Sequence, residues 1–140
     1  MRYWDASALV PLIVDESATK RTRAWLEEDG AIVTWGWTRV EIIGAVERRA
    51  REGGLSRPQR REALDRIGAF AETWDEVTDL ITVRSRAISL LARHPIRAAD
   101  AAQLAAALVV AEPDLVGVPF ACLDERLSLA AEREGLSVLR

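Results

Sequence analysis

The stretch Arg2-Tyr3-Trp4-Asp5-Ala6-Ser7-Ala8-Leu9-Val10 decides the fold. Arg2 to Trp4 reads as a short strand that ends at Asp5, and Ala8 to Ile13 reads as an apolar helix. The same grammar returns near the other end of the chain. There, Pro119 to Leu123 is a strand, Asp124 follows it, and Glu125 to Glu134 is a helix. Strands alternating with helices indicate an α/β sandwich around a largely parallel sheet. In such sheets, ligands bind beyond the carboxyl ends of the strands. Both acids are expected at that edge.

The chain between these two units keeps the alternation. Ser17 to Glu28 is amphipathic, with Ala18, Thr22, Trp25 and Leu26 at helical spacing, and Gly30 stops it. Ala31 to Thr34 is a second strand. Thr38-Arg39-Val40-Glu41 opens a helix to about Arg51, broken by Gly53-Gly54. Ser56-Arg57-Pro58-Gln59 has the form of a capping box and starts a helix to about Glu72. Trp74 to Val77 is a short third strand and Asp79 to Arg93 a helix, interrupted by His94-Pro95. Ala98 to Ala111 is a very Ala-rich helix, and Ser137 to Leu139 a last strand.

No repeat, linker or low-complexity tract divides the 140 residues, so residues 1–140 read as one domain. At 49% apolar and 29% charged, the composition is that of a globular protein with a real core. The single cysteine, Cys122, offers neither an internal disulfide nor a cysteine zinc site, which suits a reducing, cytoplasmic setting. The apolar run Leu104 to Ala111 is too short to cross a membrane, and no leader of the exported type precedes Tyr3. A net charge of −3 argues against coating nucleic acid by charge alone. Of the 19 basic residues, however, only Lys20 is not Arg, and Arg39 to Arg66 carries eight Arg against five acids. That segment reads either as a phosphate-facing surface or as a solvated helix face with mixed ion pairs.

Four acids carry the chemistry. Asp5 and Asp124 follow strands, while Glu41 and Asp100 lie in the first turns of helices. Each alone is explained by helix capping or by the positive end of the helix dipole, and Glu41 fits as the distal member of a Thr38 capping box. Jointly they suit a cleft. Carboxylates gathered on one sheet edge repel one another, and a divalent cation relieves that repulsion. Oxygen ligands without a usable His or Cys set favour Mg²⁺ or Mn²⁺ over zinc. Mg²⁺ held in this way suits phosphoryl chemistry. Ala98, Ala99, Ala101 and Ala102 leave room around Asp100. Ser7 could hold a water or a phosphate oxygen, or bond to backbone in its helical turn, and Thr38 has the same two readings. Arg97 is an exposed Arg or a partner for an acid or a phosphate. His94 has no triad partner and reads as loop structure, and Cys122 as a small apolar strand residue. Trp4, Trp25 and Trp74 fit core positions. Trp35-Gly36-Trp37 is expected to be partly exposed, which suits base stacking or a partner's groove, with at least one of the two tryptophans in the core.

Four stretches in order carry a family resemblance: residues 3–10 quoted above, Thr38-Arg39-Val40-Glu41, Arg97-Ala98-Ala99-Asp100-Ala101-Ala102-Gln103-Leu104-Ala105-Ala106-Ala107, and Phe120-Ala121-Cys122-Leu123-Asp124-Glu125-Arg126-Leu127. The chain resembles PIN-domain nucleases, in particular the VapC toxins of type II toxin–antitoxin systems, over essentially its whole length. The resemblance implies a PIN-like three-layer α/β/α sandwich with a mostly parallel sheet. It also implies an endoribonuclease that uses Mg²⁺ or Mn²⁺ to activate water against single-stranded or looped RNA. Asp5, Glu41, Asp100 and Asp124 become its acidic metal site, with Ser7 as an auxiliary. A homodimer, and a small VapB-like antitoxin that covers the cleft, belong to the same implication. Cys122 stands where the family pattern often has Thr, so no polar contribution is expected from that strand.

Three rival readings remain. A housekeeping PIN-domain RNA-processing nuclease has the same acids. A non-catalytic domain that only binds a partner could keep them without turnover. A phosphoacceptor signalling domain wants paired acids after the first strand and a Lys near the last one. Here Asp5 stands alone and Lys20 lies in the second helix.

Overall fold

The computed structural model describes residues 1–112 and 114–140. In chain order the elements are β1 (Arg2–Trp4), α1 (Ala6–Ile13), α2 (Thr19–Glu28), β2 (Ile32–Trp35), α3 (Thr38–Arg51) and α4 (Arg57–Ala71). They continue with β3 (Asp75–Val77), α5 (Leu80–Arg93), α6 (Ala98–Ala111), β4 (Phe120–Ala121), α7 (Glu125–Arg133) and β5 (Val138–Leu139). The strands form one sheet in the order β3-β2-β1-β4-β5, and every pair is parallel.

Strand pleating splits the core in two. Tyr3, Val33 and Phe120 point to one face, where they meet α5, α6 and α7 through Val83, Leu90, Leu104 and Leu127. Trp4, Ile32 and Ala121 point to the other face and meet α1, α2, α3 and α4 through Leu9, Trp25, Ile42 and Ile67. These are the three layers expected from the sequence. On α6, the alanines at 101, 105, 106, 107 and 111 are all buried, so a nearly all-apolar helix packs directly beneath the sheet.

Strand order sets the position of the site. β1 lies between β2 and β4, and the helices that follow β1 and β4 leave toward opposite layers. This is the point in an open parallel sheet where a crevice forms beyond the strand ends. β4 is shorter than the run Pro119 to Leu123 suggested. Asp5 N–H bonds to Ala121 O at 3.0 Å, whereas Leu123 N–H leaves the ladder and donates to Ser7 Oγ at 2.9 Å. α1 starts two residues earlier than expected, because Asp5 itself is the cap. α2 starts two residues later, because the Thr19 hydroxyl accepts from Glu16 N–H and donates to Pro11 O. The Ser56–Gln59 capping box forms as read.

Candidate active site

Asp5, Ser7, Glu41, Asp100 and Asp124 line one cleft at the carboxyl edge of the sheet, together with Arg48, Arg49 and Arg97. Three of the four acids are fixed by backbone. Asp5, almost completely buried, accepts from Ser7 N–H at 2.9 Å as the cap of α1. Asp100 accepts from Arg97 N–H at 3.2 Å at the start of α6. Asp124 is exposed and caps α7 by accepting from Leu127 N–H at 2.8 Å. Capping and facing the cleft are therefore compatible at these positions, since a carboxylate has two oxygens.

Glu41 is held differently, and this corrects the capping-box alternative. α3 is capped by Trp37, with no side-chain cap bond, and Thr38 turns inward and is completely buried. Gln103 of α6 instead reaches Glu41, its Nε2 lying 3.2 and 3.3 Å from the two carboxylate oxygens. Thr38 Oγ1 accepts from Gln103 Nε2 at 2.9 Å and contacts Thr34 Oγ1 at 2.8 Å. Its hydroxyl serves neither of the roles expected of it. Ser7 serves a third role: its hydroxyl ties α1 to the β4–α7 turn by accepting from Leu123 N–H.

Burial and mutual repulsion act on the acids together. Burial, opposed by the Gln103 hydrogen bond and reinforced by the charges of Asp5 and Asp100, pushes Glu41 from 4.5 up to about 7. Asp5 is raised by burial first and also by the Asp100 charge, and Asp100 by burial and the Asp124 charge. Each acid is thus electrostatically coupled to another across the cleft. Cys122 is not merely apolar filling. Its Sγ lies 3.7 Å from Asp5 Oδ2 and 3.5 Å from Asp124 O, and burial pushes the thiol up to about 12. It stays protonated and can donate weakly to the Asp5 carboxylate.

Arg97 and Arg48 are exposed at the cleft rim, whereas Arg49 pairs with Glu16. In the basic segment Arg60 grips Glu47 with two bonds and Arg66 pairs with Glu62, so the mixed ion-pair reading holds for much of it. His94 caps α5 and contacts Glu134 at 2.6 Å. Trp35 is buried and Trp37 is 60% exposed, one in the core and one free.

Among the described residues, no three His, Cys, Asp or Glu side chains crowd closely enough to enclose an ion directly. The donor set still fits Mg²⁺, which dehydrates reluctantly and is ordinarily held by one or two carboxylates with water completing its shell. Buried, mutually raised carboxylates on a cleft floor are what such a cation would neutralise.

The PIN domain family model matches residues 2–131. The chain belongs to the PIN domain family. It is 31% identical over 136 residues to Ribonuclease VapC45 of Mycobacterium tuberculosis (strain CDC 1551 / Oshkosh), covering 97% of this chain and 92% of that protein. Ribonuclease VapC49 of Mycobacterium tuberculosis (strain ATCC 25618 / H37Rv) matches with the same identity and coverage. This PIN domain is therefore of the VapC type. The fold superposes on the crystal structure of FitAcB from Neisseria gonorrhoeae with a TM-score of 0.70 at 16% identity, covering 100% of this chain and 97% of that one. Among the described residues, no helix is long and apolar enough to cross a membrane.

Proposed function

We propose that this PIN domain is a Mg²⁺-dependent endoribonuclease, the toxin component of a toxin–antitoxin pair. The observation that carries this reading is the cleft shared by Asp5, Glu41, Asp100 and Asp124 at the sheet edge. The relatives named as VapC ribonucleases support RNA as the substrate. Asp5, Asp100 and Asp124 would hold the ion, and Glu41 would hold it or orient the attacking water. A bound Mg²⁺ (or Mn²⁺) supplies charge for the phosphate and lowers the pKa of water at neutral pH. The protein's own part is positional. Backbone N–H groups fix three of the acids, and Ser7 locks the two loops that carry Asp5 and Asp124. Arg48 and Arg97 at the rim offer guanidinium groups to flanking phosphates.

The VapC likeness also supports a small antitoxin that closes this cleft, and a homodimer. α5 bears exposed apolar side chains suited to a dimer contact, Ile81, Ile88 and Leu91. The reading is tested by Asp5→Asn, which should abolish Mg²⁺-dependent cleavage of single-stranded RNA with the fold intact. Undiminished cleavage would sink it.

A further inference from the structure

A completely buried glutamine, Gln103, stands on the otherwise apolar face of α6, and the nuclease reading leaves its hydrogen bonds without a function. Burying a primary amide is costly unless each of its groups finds a partner. Here each does. Tyr3 OH donates to Gln103 Oε1 at 2.8 Å, and Gln103 Nε2 donates to Thr38 Oγ1 and to the Glu41 carboxylate.

The orientation of the amide follows from proton counting. In its ionised form Glu41 accepts only, so the amide nitrogen must face it, and the oxygen must then face the Tyr3 hydroxyl. Thr34 Oγ1 lies 2.7 Å from the Trp4 carbonyl, which also accepts only, so the one Thr34 hydrogen goes there. The Thr38 hydroxyl must then donate to Thr34. The relay runs one way, from Tyr3 and Gln103 through Thr38 and Thr34 to the backbone carbonyl next to Asp5.

Glu41 is the acid that needs such help. Among the described residues it is the one of the four that accepts no backbone N–H bond. Its longer side chain also has one more rotatable bond than Asp. Gln103 sits three residues after Asp100, on the same face of α6, so the helix that carries one acid also aims another.

We propose that Gln103 is a positioning residue, anchored by Tyr3 and Thr38, that holds the Glu41 carboxylate at the cleft floor for divalent cation binding. The proposal rests on the metal-nuclease reading and adds a residue to it. Outer-shell partners of this kind typically contribute 10- to 100-fold to metal affinity.

The test is a double-variant cycle on the full chain: wild type, Gln103→Leu, Glu41→Gln, and both together. Mn²⁺ is titrated directly, without RNA. Gln103→Leu should raise the Mn²⁺ dissociation constant about 10-fold. In the Glu41→Gln background the same change should have almost no effect, because the carboxylate that Gln103 aims at the ion is no longer there. Equal effects in both backgrounds would reduce Gln103 to core structure, and no effect in either would overturn the proposal outright. Gln103→Leu strands the Tyr3 hydroxyl, so Tyr3→Phe/Gln103→Leu is run beside it as an apolar pair that protects the fold. If wild type binds no Mn²⁺, the metal reading fails by itself. Gln103 is then judged in metal-free protein by the carbon-13 resonance of the Glu41 carboxyl. An unchanged resonance in the Gln103→Leu protein rejects the proposal, and a displaced one upholds the positioning of Glu41.

Discussion

Glu41→Gln should stabilise the metal-free protein while removing its activity. Glu41 ionises near 7 in the folded chain, against an ordinary value of 4.5. Its folded-state pKa is raised, so the stability it contributes is full below about pH 4.5 and is lost as the pH rises through about 7. A shift of this size corresponds to about 3 kcal/mol at most, at 1.36 kcal/mol per pKa unit. Glu41 is only partly buried, and solvent screening reduces this to about 1–2 kcal/mol. Gln is isosteric and still accepts from Gln103 Nε2, so the substitution removes the charge without removing the contact. For a chain of this size the gain at pH 8 is roughly 3–8 °C in melting temperature. Thermal melts in EDTA at pH 5 and pH 8 read it directly. Most of the gain should disappear at pH 5, where wild-type Glu41 is already protonated. Added Mg²⁺ should narrow or reverse the gap at pH 8, because the ion stabilises only the protein that binds it. Equal melting of the two proteins at pH 8, or an equal gain at both pH values, would mean that the ionised Glu41 does not destabilise the fold.

Two other substitutions separate binding from scaffolding. Arg48→Ala should weaken affinity for a single-stranded RNA and lower the salt slope by about 0.7, with Mn²⁺ affinity unchanged, as filter binding across a salt series would reveal. Asp124→Asn should leave stability nearly intact, whereas Asp124→Ala should cost about 1 kcal/mol in a urea melt because α7 loses its cap.

Much of this was legible in the sequence for particular reasons. Asp5 and Asp124 each follow a strand and open a helix, so the parallel-sheet rule sent both to one edge. The tryptophans divided as expected, because Trp35 lies within a strand and Trp37 beyond the turn at Gly36, whose N–H bonds to Val77 O. The length of β4 was not legible. Cys122 and Leu123 look like strand residues, but a long-range bond from Leu123 N–H to Ser7 ends the ladder. The role of Thr38 was hidden for the same reason. Its local spacing to Glu41 mimics a capping box, while its actual partners are Thr34 and, 65 residues away, Gln103. Gln103 itself passed unnoticed as chemistry. The one available signal was a lone amide in an alanine helix, three residues after Asp100. Cys122 reads locally as a small apolar strand residue because its contacts with Ser7 and Asp5, too, come from distant chain segments.

If the four-acid cleft hydrolyses RNA with a divalent cation, cleavage depends on both the acids and the ion. The direct measurement is cleavage of a single-stranded RNA by purified wild type and Asp5→Asn, each in Mg²⁺ and in EDTA, with melting curves confirming that both are folded. Cleavage by wild type in Mg²⁺ alone, lost in EDTA and lost in Asp5→Asn, is the predicted result. Cleavage by the folded Asp5→Asn protein at the wild-type rate, or wild-type cleavage indifferent to EDTA, would contradict it.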